Sequence, residues 1–384
     1  MKIIFISNYY NHHQKAFCES IYSKTKEKFR FISTGRMSRE REALGYGSDE
    51  SPEFVESILL NDEEKNKCLQ LIDDADVVIV GSCPEEYIKN KVSNNGMIFY
   101  YKERLYKQGF KLYKWPIRMI KNYLRYAFNK KQYLLCASAY TAADYAITNN
   151  FIDKAYKWGY FPETLCYDPD TLMNKKNRKE ILWCGRFIDW KHPEDVIKIA
   201  KRLKEEGYDF KINCIGTGNL DDELKNLIHE YNLESTINML GSMKPSQVRS
   251  YMEKAGIYLF TSDFQEGWGA VLNESMNSGC AVVASHAIGA VPYLIKNGKN
   301  GIIYKYGDCN DMYFKVKYLL DNPDEQIRLG KAAYSSIIME WNAEVASSRF
   351  LKLVEEIKDH GYCDLYEDGP CSKADIIKND WFKG

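Results

Sequence analysis

Short apolar runs alternate with longer amphipathic segments along the whole chain. Five runs of strand type lie in the first half and six in the second, and the segments between them have helical periodicity. This alternation predicts parallel sheets covered by helices, and therefore two doubly wound α/β domains. The predicted strands are 2–7, 30–33, 77–80, 97–100 and 133–137, then 181–184, 210–215, 237–240, 257–260, 281–284 and 301–304.

The alternation is interrupted between residues 160 and 179, where prolines and a polar run replace strands and helices. Such a break predicts a domain boundary. We place the first Rossmann-like domain at 1–162 and the second at 163–342. The helical segment and tail at 343–384 follow the second domain.

The composition indicates folded domains without an overall charge. Of the 384 residues, 45% are hydrophobic, which is enough for two complete cores. The 53 basic and 53 acidic residues balance, so no net field favours nucleic acid. The 11 cysteines lack paired metal-binding spacing, and no apolar run reaches the ~18 residues of a membrane span. We therefore expect a cytoplasmic protein with reduced thiols and no nucleic-acid partner.

The most informative chemical pattern is the segment 261–279, in which Glu266 and Glu274 bracket a Gly-Trp-Gly turn. A predicted strand precedes the turn and a helical segment follows it. Gly267 and Gly269 allow the backbone to approach a ligand closely, and the N–H groups of a helix start bind phosphate. The pattern favours a sugar-nucleotide pocket.

Two cations follow the predicted strand 181–184. Arg186 and Lys191 come directly after this strand, and Pro193 predicts that a helix begins there. Ligands of open parallel sheets bind at the carboxyl ends of the strands. A diphosphate between this cation pair and the helix start near Gly269 would be held without a metal.

Together these motifs resemble the family 4 retaining glycosyltransferases, which have the GT-B fold. They occur in the family's order and span about half of the chain. The rest resembles bacterial surface and capsular polysaccharide transferases more loosely. The motifs are Gly185-Arg186 with Lys191, Gly216-Thr217-Gly218, the glutamate pair, and the segments 279–283 and 297–301.

The resemblance implies transfer of a sugar from a nucleotide-diphosphate sugar to a glycan or polyprenyl-linked acceptor, with retained configuration. The first domain would bind the acceptor, the second the nucleotide sugar, and 343–384 would pack back on the first. Arg186 and Lys191 would bind the diphosphate, Glu266 the sugar hydroxyls and Glu274 the ribose. Glu266, Arg186 and Lys191 form the expected catalytic set. The expected donor site comprises Arg186, Lys191, Gly216, Thr217, Gly218, Leu240, Glu266, Gly267, Trp268, Gly269, Ala270 and Glu274.

We expect no cofactor and no metal, with a UDP-sugar slightly favoured over a GDP-sugar as the donor. Asp74-Ala75-Asp76 has the spacing of a metal-binding motif, but it precedes the strand 77–80 instead of following it. It would therefore lie at the opposite end of the sheet from the ligand. Gly216-Thr217-Gly218 lacks the third glycine of a dinucleotide fingerprint, which argues against an NAD enzyme.

The loop after the first strand offers Asn11, His12 and His13, where many relatives have a glycine-rich loop. One interpretation is that these residues meet the acceptor or a phosphate. The other is that a polar loop caps the helix that begins near Gln14. The sequence leaves both open.

A basic segment at 102–131 contains ten Lys or Arg residues and one acid, Glu103, interleaved with aromatic residues. An apolar set at helical spacing and the basic set Arg118, Lys121 and Arg125 lie on different faces. Such a helix can lie on the anionic inner-membrane surface, or it can be an ordinary surface helix of the first domain. The apolar set is Ile117, Ile120, Leu124, Ala127 and Phe128.

Two other function classes remain alternatives. A pair of carboxylates is also typical of glycosidases, but a glycosidase has no use for the cation pair. A non-catalytic GT-B-like subunit of a polysaccharide assembly complex would use its basic face and need no charged site.

Overall fold

The chain divides into two compact units. The computed structural model describes residues 1–37, 52–109, 113, 115–126 and 129–384. Unit 1 comprises Met1–Glu163 and Asn342–Lys378, and unit 2 comprises Thr164–Trp341 and Asn379–Gly384.

The C-terminal tail differs from the expectation that all of 343–384 packs on the first domain. Asn379–Gly384 belongs to unit 2. His286 Nε2 lies 3.2 Å from the carbonyl oxygen of Asn379, and the rings of Trp381 and Phe382 lie 6.4 and 5.9 Å from the His286 ring. These contacts hold the tail on unit 2.

Unit 1 contains a seven-stranded parallel sheet in the order β3-β2-β1-β4-β5-β6-β7. Every residue of β1 and β4 is buried, because helices cover both faces of a parallel sheet. The register places Ile3 beside Phe29 on one side and Val77 on the other. The strands are β1 (Ile3–Ser7), β2 (Phe29–Ser33), β3 (Val55–Ser57), β4 (Val77–Val80), β5 (Met97–Lys102), β6 (Gln132–Cys136) and β7 (Ala155–Lys157).

Unit 2 contains a six-stranded parallel sheet in the order β10-β9-β8-β11-β12-β13. The central strand β11 is buried along its whole length and pairs with both β8 and β12. The strands are β8 (Asn177–Cys184), β9 (Lys211–Ile215), β10 (Ile237–Met239), β11 (Ala255–Phe260), β12 (Ala281–Ser285) and β13 (Ile302–Tyr304). The prediction of two doubly wound α/β domains is confirmed.

Helices connect the strands, and prolines in the first turn begin several of them, as expected for a position that needs no N–H partner. The helices are α1 (His12–Thr25), α2 (Asp62–Asp74), α3 (Lys89–Ser93), α4 (Trp115–Tyr126), α5 (Thr141–Ala146), α6 (Pro169–Asn174), α7 (Pro193–Glu205), α8 (Asp221–Glu230), α9 (Pro245–Lys254), α10 (Ala270–Asn277), α11 (Val291–Leu294), α12 (Cys309–Asp321), α13 (Pro323–Met339) and α14 (Ala343–His360).

The two sheets share one feature that positions ligands. In each, the chain builds three strands in one direction and then crosses to the other side of the first strand. The crossovers therefore diverge between β1 and β4 in unit 1, and between β8 and β11 in unit 2. Such switch points open a crevice at the carboxyl ends of the strands.

Candidate active site

Both predicted cations follow β8, at the switch point of unit 2. Arg186 is exposed, and its guanidinium carbon lies 5.9 Å from the centre of the Trp190 ring. Lys191 ends a short 3₁₀ helix, Asp189–Lys191, and its ammonium lies 4.7 Å from the same ring. Trp190 is thus a shared support for the two cations, although the sequence reasoning did not single it out.

Glu266 lies in the loop after β11 and is only 8% exposed. Its carboxylate forms an ion pair with Lys191 and accepts a hydrogen bond from Ser262 Oγ at 3.1 Å. Lys191 has three N–H donors, so its remaining donors are available for phosphate oxygens. The structure therefore places Lys191, which is expected to bind the diphosphate, in direct contact with Glu266, which is expected to bind the sugar hydroxyls.

The two loops that carry these residues are held together by side-chain and backbone hydrogen bonds. Thr261 Oγ1 donates to the carbonyl oxygen of Lys191 at 2.5 Å and accepts from Trp183 Nε1 at 2.9 Å. The Asp263 N–H donates to the carbonyl oxygen of Trp190 at 3.0 Å. Side chains on these loops are consequently preorganised relative to one another.

Gly269 forms the start of α10 and must be glycine. Its φ of 89° lies in the left-handed region, and a Cβ atom there would be 2.5 Å from Phe260 Cζ. The first N–H groups of α10, beginning at Ala270, follow this turn. The predicted sequence of strand, glycine turn and helix start is present in the structure, with Gly267 in the same turn.

Trp268 belongs to the turn whose backbone N–H groups are expected to meet the donor, and its side chain has a separate role. Its side chain is fully buried, and the indole N–H donates to Asn273 Oδ1 at 2.9 Å. The ring packs beside Tyr293 and Trp341, 6.2 and 6.0 Å away. Trp268 therefore supports the turn from the core and presents no side-chain surface to a ligand.

Glu274 lies on α10, and its surroundings differ from those of Glu266. Burial raises the pKa of Glu274, whereas the positive charge of Arg249 opposes that shift. Arg249 Nη1 donates to the main-chain oxygen of Glu274 at 3.2 Å and to Asn277 Oδ1 at 2.8 Å. Within the described part of the chain, no hydrogen bond to the Glu274 carboxylate is present.

The loop after β9 packs against the loop after β8 and the loop after β10. Thr217 Oγ1 and Ser242 Oγ are 2.9 Å apart, and the Gly216 N–H donates to the carbonyl oxygen of Gly241 at 2.9 Å. A Cβ atom on Gly216 would be 1.8 Å from the carbonyl oxygen of Gly185. The two glycines of Gly216-Thr217-Gly218 thus permit close loop packing, and Leu240 precedes the facing loop.

A histidine network next to Lys191 was missed by the sequence reasoning, which gave His192 no role. His192 Nδ1 lies 3.1 Å from Glu194 Oε1, and Nε2 lies 3.7 Å from Asp263 Oδ2. The carboxylates of Asp263 and Glu194 raise the pKa of His192 to about 9. Because Asp263 is distant in sequence, only the fold brings this network together.

The same network contains one group with metal-ligand geometry in the described part of the chain. Ligand atoms of His192, Glu194 and Asp195 lie within 4.8 Å of one another. A metal there would have to displace the proton that the neighbouring carboxylates stabilise on His192. The geometry fits an ion-pair network better than a metal centre.

Asn11, His12 and His13 have separate roles in unit 1. The Asn11 side chain accepts the His13 N–H at 3.0 Å, so it caps α1. The His13 ring stacks on Tyr160 with a centroid distance of 5.1 Å and lines a cavity. The His12 ring lies 3.7 Å from the His13 ring. The capping interpretation therefore applies to Asn11.

The basic segment contains α4, whose orientation was not apparent from the sequence. Ile117, Ile120 and Leu124 are 72%, 62% and 60% exposed. Arg125 forms an ion pair with Glu85 at 2.7 Å, and Arg118 lies over the Tyr106 ring. The helix thus turns its apolar side to solvent. Phe110, Lys111, Leu112, Lys114, Ala127 and Phe128 lie outside the described residues.

The two parallel-sheet units define a class of fold, the GT-B glycosyltransferase architecture. The chain is similar to the crystal structure of Anabaena Alr3699/HepE in complex with UDP, with a TM-score of 0.68, 14% identity, and coverage of 93% of this chain and 100% of that one. It is also similar to S. aureus TarM, with a TM-score of 0.65, 13% identity, and coverage of 92% and 100%.

The sequence identifies the family of the donor-site unit. Residues 169–336 match the family model described as "Glycosyl transferases group 1". The chain therefore carries a glycosyl transferases group 1 domain, which contains all the predicted donor-site residues. The resemblance deduced from the motifs is confirmed.

Curated relatives match over similar lengths. An uncharacterized glycosyltransferase of Haemophilus influenzae is 27% identical over 202 residues, or 50% of this chain and 54% of that protein. A Campylobacter jejuni protein named N-acetylgalactosamine-N,N'-diacetylbacillosaminyl-diphospho-undecaprenol 4-alpha-N-acetylgalactosaminyltransferase is 33% identical over 150 residues, or 39% of each chain. The chain matches about half the length, or less, of these relatives.

Proposed function

We propose that this protein is a glycosyltransferase. It moves a sugar from a nucleotide-diphosphate sugar to a hydroxyl of a glycan or lipid-linked acceptor during cell-surface polysaccharide synthesis. The observation that carries this proposal is the group at the switch point of unit 2. Arg186, Lys191 and Glu266 lie there on adjoining loops, and Glu274 lies on α10, all within the glycosyl transferases group 1 domain.

The chemistry follows from where negative charge develops. As the bond between the sugar C1 and the diphosphate breaks, the diphosphate leaves with the bonding electrons. The acceptor oxygen bonds to C1, and the acceptor hydroxyl proton passes to an oxygen of the leaving diphosphate. Arg186, Lys191 and the N–H groups at the start of α10 stabilise the leaving group. Preorganised donors of this kind contribute about 10²–10³ in rate each. We propose that no metal takes part and that the configuration at C1 is retained.

Glu266 and Glu274 divide the recognition of the donor. Glu266, held by Lys191 and Ser262, would bind hydroxyls of the transferred sugar. Glu274 would bind the ribose, because its half-buried carboxylate can accept hydroxyl hydrogen bonds. The loops that contain Gly216, Thr217, Gly218 and Leu240 would contact the base through their backbones.

The donor and acceptor classes are proposals from relatives. HepE and TarM are described in complexes with UDP, and TarM also with alpha-GlcNAc-glycerol. The name of the Campylobacter relative includes a diphospho-undecaprenol acceptor. We propose a UDP-sugar, hexosyl or N-acetylhexosaminyl in type, as donor and a glycan or polyprenyl-linked acceptor.

The exposed face of α4 fits a location at the cytoplasmic surface of the membrane. Its apolar side chains are exposed beside Lys121, a combination that favours anionic lipid. Within the described ranges, the helices are too short or too polar to cross a bilayer. We propose peripheral contact, which would place the enzyme near a lipid-linked acceptor.

Calorimetric titration with UDP, GDP, ADP and CMP in the presence of a chelator tests this proposal. One diphosphate should bind wild type tightly, and Arg186→Ala should weaken it about 10- to 100-fold because a charge-assisted contact is lost. The matched control is Arg328→Ala, which removes a half-exposed arginine on α13 of the same unit.

Each outcome decides a different point. Unchanged affinity in Arg186→Ala would refute the role of Arg186. Binding only after Mg²⁺ or Mn²⁺ is added would refute metal independence. If no nucleotide binds under either condition, the donor site is wrong and the non-catalytic subunit becomes the better hypothesis.

A further inference from the structure

Unit 1 contains a polar cavity of about 500 Å³ whose lining includes none of the donor-site residues described in unit 2. It lies where β1, β4 and β5 end and where α1 begins. Its lining includes Ser7, His13, Gly81, Lys102, Glu103 and Tyr160. All of these residues belong to unit 1.

The position of this cavity favours a ligand site. β1 and β4 are neighbours in the sheet, and the chain crosses to opposite sides from this pair. The cavity therefore occupies the switch point of unit 1, where open parallel sheets bind ligands. A Cβ atom on Gly81 would lie 2.6 Å from Ser7 Oγ, so a glycine keeps this wall open.

The charges around the cavity do not balance. Lys102 Nζ donates to the carbonyl oxygen of Gly81 at 2.9 Å, and within the described ranges no carboxylate lies at ion-pair distance from it. The adjacent Glu103 is already engaged, because it forms an ion pair with Lys107 and accepts the Tyr160 hydroxyl at 2.5 Å. Among the residues that the structure describes, the Lys102 ammonium group is thus left without a counter-charge.

The surroundings of Lys102 reinforce this imbalance. Burial is the main cause that lowers its pKa, and the positive charge of Arg125 acts in the same direction. Cys83 and Glu85 oppose the shift, but Glu85 is paired with Arg125 at 2.7 Å. A bound anion would restore the stability of the charged ammonium.

We propose that this cavity is an oxyanion site in which Lys102 binds one negatively charged oxygen group, a carboxylate or a phosphate. The stacked rings of His13 and Tyr160 form a wall against which the rest of the ligand can lie. That the group belongs to the acceptor rests on the proposed function, whereas the oxyanion site itself does not. On that function, the acceptor carries an acidic sugar or a phosphate.

Thermal unfolding of the full chain tests the site. The Arg186→Ala background is used to weaken anion binding at the donor site. The probes are glucuronate, inorganic phosphate and neutral glucose at equal ionic strength. An anion at about ten times its Kd should raise the Tm by roughly 3 °C, and glucose should not. Preference between the two anions distinguishes an acidic sugar from a phosphate group.

The variants isolate Lys102. Lys102→Met should abolish the anion-dependent shift, and Lys102→Arg should keep most of it. Lys121→Met, which removes an exposed lysine of α4, should keep all of it. Circular dichroism confirms that each variant is folded.

Three results would overturn the proposal: a full shift in Lys102→Met, an equal shift with glucose, or no shift with either anion in the parent. Failure of the nucleotide titration would remove the acceptor assignment while the oxyanion site stands. The two proposals therefore fail separately.

Discussion

Glu266 lies in the loop before α10 and Glu274 lies on α10 itself, and the surroundings of the two carboxylates differ. Glu266 is bound by a cation and a hydroxyl, whereas Glu274 is on a helix where burial raises its pKa. A carboxylate fixed beside Lys191 is positioned for the reacting sugar. A carboxylate without such partners is better suited to bind ligand hydroxyls.

This difference predicts opposite kinetic effects. Glu266→Gln should lower kcat about 10²–10³-fold and change the Kd for the nucleotide less than threefold, because the lost contact is to the sugar. Glu274→Gln should raise that Kd about tenfold, with a smaller effect on kcat. Calorimetry measures the Kd for the nucleotide, and the rate at which the nucleotide is released from the donor sugar measures kcat.

The matched control is Glu223→Gln, an exposed acid in the first turn of α8. If Glu274→Gln lowered kcat more than Glu266→Gln did, the two roles would have to be exchanged. Equal effects in both variants would mean that neither residue has the proposed specialised role.

His192 provides a prediction on pH. Its pKa in the folded chain is about 9, above the ordinary value near 6.5, because Asp263 and Glu194 favour the imidazolium. The stabilisation is therefore complete below pH 6.5 and is lost as the pH rises through about 9. Its size is on the order of 3 kcal/mol.

Calorimetric unfolding of wild type and His192→Gln at pH 6.5 and 9.5 checks whether the stabilisation by His192 is lost at high pH. The Tm of wild type should exceed that of the variant at pH 6.5, and the gap should narrow at pH 9.5. His229→Gln is the control, because that imidazole is 87% exposed. A gap that does not change with pH would exclude the ion-pair account.

Among the helices, α4 departs most from ordinary packing. An amphipathic helix normally buries its apolar stripe, yet here the protein engages Arg118 and Arg125 while the apolar residues are exposed. The helical periodicity was predicted from the sequence, but its orientation was not. The contact of Arg118 with the Tyr106 ring and the ion pair of Arg125 with Glu85 hold the basic side of the helix, so the apolar side turns outward.

Vesicle sedimentation tests whether this face binds lipid. Ile120→Asp and Leu124→Asp should each weaken binding to anionic vesicles about tenfold, since an apolar contact is replaced by a like charge. Leu60→Asp, at a 69% exposed position of unit 1, should not. Equal binding by all variants, or equal binding to neutral vesicles, would refute the proposed surface.

At the scale of the whole molecule, one topology occurs twice. Both sheets place their first and fourth strands side by side, and both candidate ligand sites occur at that pair. The chain enters unit 2 after Glu163, returns to unit 1 at Asn342 and enters unit 2 again at Asn379. Only the first passage lies near a break in the sequence pattern.

The long, buried strands were predictable, and the two short edge strands of the unit 1 sheet were not. Strands such as β4 and β11 are continuous apolar runs because both of their faces are covered. β3 and β7 have only three residues each and carry polar side chains, so no apolar run marks them. Both lie at the edges of the unit 1 sheet, where one side is unpaired.

The sequence by itself determined the two α/β units, the glycine turn before α10 and the cation pair after β8. These depend on local periodicity and on backbone geometry that only certain residues allow. The tertiary structure decided which groups meet: Glu266 with Ser262 and Lys191, His192 with Asp263, and Lys102 without a described counter-charge. The tertiary structure also buries the Trp268 side chain in the core. Burial and ion pairing depend on neighbours distant in sequence, so residue spacing alone does not define them.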